Sequence, residues 1–139
     1  MRCISTIIAK FLIILPLLLS GCGDQVSEPL SKEEAVRLRA QGWMDALLNR
    51  NLEEAYSYTS PSYRQFATAM QYNARVAGTP DWETGIVERV ECKEQLCDVR
   101  YKVKYHFAIP DTTEVVKNTR PFDYKWIEVD SEWWLWVPK

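Results

Sequence analysis

Apolar residues recur at three- and four-residue spacings in the first half of the chain and with period two in the second half, which predicts helices followed by a sheet. Ser31-Lys32-Glu33-Glu34 reads as a capping box opening a helix, and Val36, Ala40, Trp43, Met44 and Leu47 then form one apolar stripe on a charged rod that stops near Asn49. Asn51 caps a second, shorter helix, with Glu53 and Glu54 in its first turn and Leu52, Ala55 and Tyr56 on one face. Ser60-Pro61 opens a third, because proline suits a first helical position, and Tyr63, Phe66, Ala67 and Met70 follow at helical spacing. Gly78-Thr79-Pro80-Asp81 breaks the pattern. After it, residues 84–92 read as a strand, and Val99, Tyr101, Val103, Tyr105 and Phe107 alternate with Arg100, Lys102, Lys104 and His106 in a second. Pro110 to Asn118 reads as a long hairpin loop. Phe122, Tyr124 and Trp126 then alternate with Asp123, Lys125 and Ile127, and a turn at Asp130-Ser131 leads into a last strand over Trp133 to Val137. The fold class is α+β, three helices and then an antiparallel sheet.

A two-residue turn at Asp130-Ser131 fixes the register: Val129 faces Glu132, Glu128 faces Trp133, Ile127 faces Trp134, Trp126 faces Leu135 and Lys125 faces Trp136. Phe122, Tyr124, Trp126, Trp133, Leu135 and Val137 then share the inner face, and Ile127, Trp134 and Trp136 the outer one. Two indoles on an outer face need water, a lysine lid or a partner. Lys125 over Trp136 would supply a cation–π cover, and a homodimer or another envelope protein seated on Ile127, Trp134 and Trp136 is the other answer.

The N-terminus adds a location. Arg2 and Lys10 precede an apolar run from Phe11 to Leu19 that is too short to span a bilayer and reads as a secretory signal, residues 1–21. Leu19-Ser20-Gly21-Cys22 resembles the bacterial lipobox. That resemblance implies diacylglycerol on the Cys22 thiol, cleavage before Cys22, and attachment to a membrane through two or three acyl chains. Gly23 stands where such lipoproteins carry aspartate when they are kept at the inner membrane, so the resemblance implies the periplasmic face of the outer membrane. Residues 22–30, short, polar and containing Pro29, are then a tether, and residues 31–139 one domain. Of 17 Lys+Arg and 19 Asp+Glu, only Arg2 and Lys10 leave with the signal, so the mature net charge is about −4, which with the compartment argues against nucleic acid as a partner.

Four cysteines and one histidine limit the chemistry. Cys3 leaves with the signal and Cys22 takes the lipid. Cys92 and Cys97 flank a short hairpin end and read as a structural disulfide, which suits an oxidising compartment. Two thiolates and one histidine are too few for a zinc site, and the spacing is not that of a redox Cys-x-x-Cys pair. No metal or other cofactor is implied. His106 falls on the wet face beside Arg100, Lys102 and Lys104, where a solvated or interface role suits it better than that of a general base.

Within residues 31–138 the helix order, the phrases Trp43-Met44-Asp45-Ala46-Leu47, Asn51-Leu52-Glu53-Glu54-Ala55-Tyr56 and Ser60-Pro61-Ser62-Tyr63-Arg64, and the closing Glu132-Trp133-Trp134-Leu135-Trp136 resemble the NTF2-like (SnoaL-like, cystatin-like) α+β domains. The resemblance implies a cone, with helices closing over the concave face of a curved sheet, and a family that includes isomerases, dehydratases, cyclases and binding-only domains. Trp43, Tyr56, Tyr63, Phe66, Tyr101, Tyr105, Tyr124 and Trp126 are candidates for its interior, either as plain core or as the wall of a pocket for a small apolar ligand. An isomerase-like site would need a buried carboxylate and an oxyanion donor, and Glu128 is the only acid that the register turns inward, beside a wet hairpin end. The reading is therefore a non-catalytic binding or interaction module on a membrane anchor, with no residue assigned a catalytic role.

Overall fold

In the computed structural model, residues 29–78 and 81–138 are described. The expected signal, Cys22, most of the expected tether, and Thr79-Pro80 of the break between helices and sheet lie outside them. Helices α1 (Lys32–Leu48), α2 (Leu52–Ser57), α3 (Pro61–Arg64) and α4 (Ala69–Arg75) precede strands β1 (Trp82–Lys93), β2 (Leu96–Ala108), β3 (Val115–Val129) and β4 (Glu132–Leu135). The strands form one antiparallel sheet in the order β1-β2-β3-β4.

The predicted stripe of α1 is its buried face: Val36, Ala40, Trp43, Met44 and Leu47 are all inaccessible, joined by Ala46. The Ser31 hydroxyl accepts from the Glu34 amide and Asn51 caps α2 through Glu54. Between them Arg50 adopts φ 58°, with Arg50 N–H bonded to Leu47 O and Asn51 N–H to Ala46 O. Those paired bonds end α1 as a Schellman motif, with arginine in the place glycine usually takes.

Two expectations about elements change. The third helix is two helices. It stops at Arg64, and Thr68 starts α4 with a complete capping box, its hydroxyl accepting from Gln71 N and the Gln71 side-chain Oε1 accepting from Thr68 N. The restart shifts the helical phase, so Tyr63 and Tyr72 are buried while Phe66 is 49% and Met70 81% exposed. The expected loop from Pro110 to Asn118 is short as well. Strand β3 begins at Val115 and pairs with β2 out to Ala108, leaving only 109–114 between them. Val115 and Val116 favour the strand, and the backbone ladder offsets the exposure of this two-stranded arm.

The turn at Asp130-Ser131 has both residues at positive φ, 53° and 62°, as a two-residue hairpin of the primed type requires. The register that follows is the one the turn predicts, from Val129↔Glu132 to Trp126↔Leu135, and Trp136 N–H continues it onto Lys125 O. Cys92 and Cys97 face each other at the β1–β2 end and are joined by a disulfide.

Both sheet edges carry side-chain or loop partners. On β1, the Gln41 amide donates to Gly85 O and accepts from Val87 N, and Arg37 donates to Val87 O. On β4, Leu135 N–H bonds to Tyr58 O and Ser60 N–H to Leu135 O, a one-residue parallel bridge at Thr59. Register shifts in β1 at Trp82/Thr84 and Val87/Arg89 bend that strand around α1.

On the outer face, Arg100 donates to both carboxylate oxygens of Asp123, at 2.7 and 3.1 Å. The guanidinium holds the Asp123 carboxyl below the usual carboxylate range. A depressed folded-state pKa contributes stability that is present above the unfolded value, about 3.9, and is lost as pH falls through the lower folded value. Thermal melting followed from pH 7 down to pH 2.5 is therefore expected to fall less steeply below about pH 4 in Asp123→Asn than in the wild type. Parallel curves would show that the pair contributes nothing to the acid limb.

Candidate functional site

Trp43 on α1 and Tyr72 on α4 meet over the sheet, the indole N–H donating to the Tyr72 hydroxyl at 2.8 Å. The Trp43 ring meets Tyr124 edge-on at 4.9 Å and Tyr101 at 5.4 Å. Beneath them Trp126 N–H donates to the Tyr101 hydroxyl, which donates to Ala40 O. Trp43, Tyr72, Tyr101 and Trp126 are buried, and Tyr124 is half-buried. This aromatic floor opens into a cleft of about 170 Å³. Trp43, Val76, Leu135, Trp136 and Val137 supply its apolar walls. The residues with polar side chains that line it are Tyr72, Tyr124 and Arg75. Arg75 donates to Pro138 O at 2.9 Å, so the C-terminal segment runs along the rim.

Burial pushes the phenols of Tyr72, Tyr101 and Tyr124 above the usual tyrosine range, with the indole hydrogen bonds of Trp43 and Trp126 only partly opposing this at Tyr72 and Tyr101. All three therefore stay protonated at neutral pH, as hydrogen-bond donors. No Asp, Glu or His is among the described residues lining the cleft. Glu128 lies elsewhere, half-buried and 3.7 Å from Lys32. His106 is on the outer face, its Nδ1 3.3 Å from Glu83, which also meets Lys117 at 3.1 Å. Lys117 in turn holds the Glu83 carboxyl below its usual range.

Of the interior candidates, the structure brings Trp43, Tyr101, Tyr124 and Trp126 together at the cleft or under its floor. Tyr56 donates to Ala67 O and ties α2 to the α3–α4 link. Tyr63 and Phe66 line a second hollow of about 250 Å³ that shares Trp136 and Val137 with the first. The buried Tyr63 hydroxyl has no hydrogen-bond partner among the described residues. Tyr105 is not part of this group: it faces Trp82 where β1 begins and stacks on Phe107, toward the end of β2 away from the cleft.

The outer-face candidates separate too. Trp134 is half-buried with the guanidinium carbons of Arg39 and Arg64 at 4.9 and 4.8 Å from its ring, so arginines from α1 and α3 cover it. Arg64 also donates to Ser57 O and Thr59 O. Ile127 is half-buried beside Leu96. The lysine lid does not form, because Lys125 Nζ reaches across to Asp98 at 2.7 Å. Trp136 is 44% exposed and lines both hollows. Sequence reasoning missed Tyr72, Arg75 and Val76. The Thr68-x-x-Gln71 capping box could have found them, since it sets the phase of α4 that places positions i, i+3 and i+4 on one face.

Helices packed on one face of a four-stranded antiparallel sheet, with an aromatic cleft between the layers, make an α+β fold. Solved structures share that fold. A candidate NTF2-like transpeptidase from Campylobacter jejuni superposes with a TM-score of 0.54 at 13% identity, over 78% of this chain and 100% of its own. A candidate calcium/calmodulin-dependent kinase II association domain from Exiguobacterium sibiricum gives 0.55 at 18% identity, over 78% and 91%. A candidate dehydratase of the NTF2-like family from Streptomyces avermitilis gives 0.51 at 13%, over 74% and 90%. These likenesses are of fold. No protein-family model matches the chain, and no curated protein matches its sequence.

Proposed function

We propose that this chain is a lipid-anchored protein of the bacterial envelope whose domain binds a small, mostly apolar ligand in the cleft between Trp43, Tyr72, Tyr124 and Trp136, without transforming it. The observation that carries this reading is the lining: aromatic and aliphatic walls with a few convergent donors and, among the described residues, neither carboxylate nor imidazole to act as a base. The location rests on Leu19-Ser20-Gly21-Cys22 and on Gly23, which favour attachment through Cys22 to the periplasmic face of the outer membrane. The rival reading, an interaction module that uses the outer face, loses much of its motive because Trp134 is covered from within the chain.

Native mass spectrometry of the full chain carried in lipid nanodiscs tests the proposal. The expected result is a non-covalent small-molecule adduct on the wild type that is lost in Trp136→Ala at unchanged oligomeric mass. A doubled protein mass that reverts to monomer in Trp136→Ala, with no adduct on either, would favour the interaction module instead. In the same cells, Cys22→Ser is expected to move the protein from the membrane to the soluble fraction, and a wild type already soluble would remove the anchor from the proposal.

A further inference from the structure

We infer that the ligand of the cleft is a carboxylate, with a body about the size of one aromatic ring in the apolar pocket and its carboxyl group on Arg75. This rests on the proposal that the cleft is the binding site, and it adds the ligand's chemical class.

Three observations converge on it. The first is size. A cavity of roughly 150 Å³ lined by apolar side chains encloses a benzene molecule. The cleft here, at about 170 Å³, accommodates one such ring or a branched chain of similar bulk. The second is polarity. Each ionisable group lining the cleft is a donor at neutral pH: the Tyr72 and Tyr124 phenols, kept protonated by burial, and the Arg75 guanidinium. Tyr72 oxygen already accepts from Trp43, so its own proton is directed to some other acceptor. A site that presents donors and no carboxylate selects a ligand bearing acceptor oxygens, and disfavours an amine or a cation.

The third is the state of Arg75. Among the described residues its side-chain hydrogen bond is to the Pro138 carbonyl, a neutral acceptor, through Nη1 of a fork that carries five N–H donors. A carbonyl does not neutralise the positive charge, and no carboxylate among the described residues pairs with Arg75. A carboxylate at the rim would take the planar pair of N–H groups that a guanidinium offers, with bonds about twice as strong as those to a neutral acceptor. Tyr72 and Arg75 lie one turn apart on α4, with Val76 as its C-cap, so the charged group sits one helical turn from the aromatic floor. That spacing suits a ligand whose charge is a few bonds from its ring.

Matched probes separate the charge from the body. 3-Phenylpropionate and 3-phenylpropionamide differ in charge and not in ring or chain length. Ligand-observed NMR titration onto the full chain in nanodiscs, with empty nanodiscs subtracted, is expected to show the acid binding about tenfold more tightly than the amide, the size of a charge-assisted advantage at a rim. In Arg75→Gln the two should bind alike, at the amide's affinity. In Arg75→Lys, which keeps the charge and loses the fork, part of the preference should survive. Arg75 is exposed, and circular dichroism of each variant checks that the fold is retained.

Equal binding of acid and amide to the wild type, or an acid preference that persists in Arg75→Gln, would overturn the carboxylate assignment and leave the cleft as a site for neutral apolar molecules. Failure of both probes to bind the wild type would overturn the cleft reading together with it.

Discussion

Trp126→Ala is expected to cost the domain about 3–5 kcal/mol, the range for removing a fully buried aromatic side chain. Trp126 has no exposed surface, meets Tyr58 edge-on, and donates to the Tyr101 hydroxyl, which is itself bound to the backbone of α1. The substitution empties the centre of the floor and also removes a donor from a buried phenol. For a domain of this size the loss corresponds to a fall in melting temperature of very roughly 15 °C. Trp126→Phe, which keeps most of the apolar volume and gives up the N–H, should lose about a third as much. Thermal and urea melts of the two variants check this, and a fall of only a few degrees for Trp126→Ala would mean that the sheet and α1 close over the gap.

Gly85→Val should cost about half as much, for the opposite reason. A Cβ at Gly85 would stand 2.7 Å from Met44 Cγ and nearer still to its sulfur, and Met44 is wholly buried. The middle of the methionine side chain is what would have to move, so its flexible tip gives little relief. Valine brings a strand preference worth up to about 1 kcal/mol, but overpacking of this kind costs typically 1–3 kcal/mol and here acts through a helix tied to the same strand by Gln41. A net loss of about 2 kcal/mol is expected. The diagnostic is the double variant. Met44→Ala alone should cost about 3 kcal/mol, and Gly85→Val added to it should cost nothing further or recover some stability, a coupling of about 2 kcal/mol. Strict additivity would mean that the glycine is required for something other than room for Met44.

The elements that were legible from sequence are those whose signals are local and agree with one another. Helix α1 has its cap, its stripe and its stop within twenty residues, and the β3–β4 hairpin has a turn that dictates every pair after it. Where two local signals competed, the spacing of apolar residues misled. Tyr63, Phe66, Ala67 and Met70 fit one continuous stripe, yet Thr68 and Gln71 restart the helix and turn Tyr72 inward in place of Met70. The start of β3 carries no alternation that would reveal it: most of its residues are exposed, so its place is set chiefly by backbone pairing with β2 and not by a buried face. The candidate site was half legible. Trp43 and Tyr124 follow from their own elements, whereas Arg75 depended on the phase of α4, and the cover over Trp134 depended on Arg39 and Arg64, which lie 95 and 70 residues away in sequence.

Gln41 occupies the β1 edge much as a neighbouring strand would, one amide donating and accepting between Gly85 and Val87, and the Tyr58–Ser60 segment does the same for β4. An open sheet has two such margins, and each is a template onto which another chain can add by backbone hydrogen bonds. Copies gathered on one surface, as the proposed lipid anchor would gather them, would meet edge to edge more often than copies free in solution. Here a side chain at Gly85 and Val87 and a main-chain segment at Leu135 already occupy part of each margin, which leaves an incoming strand fewer free backbone groups to pair with at those points.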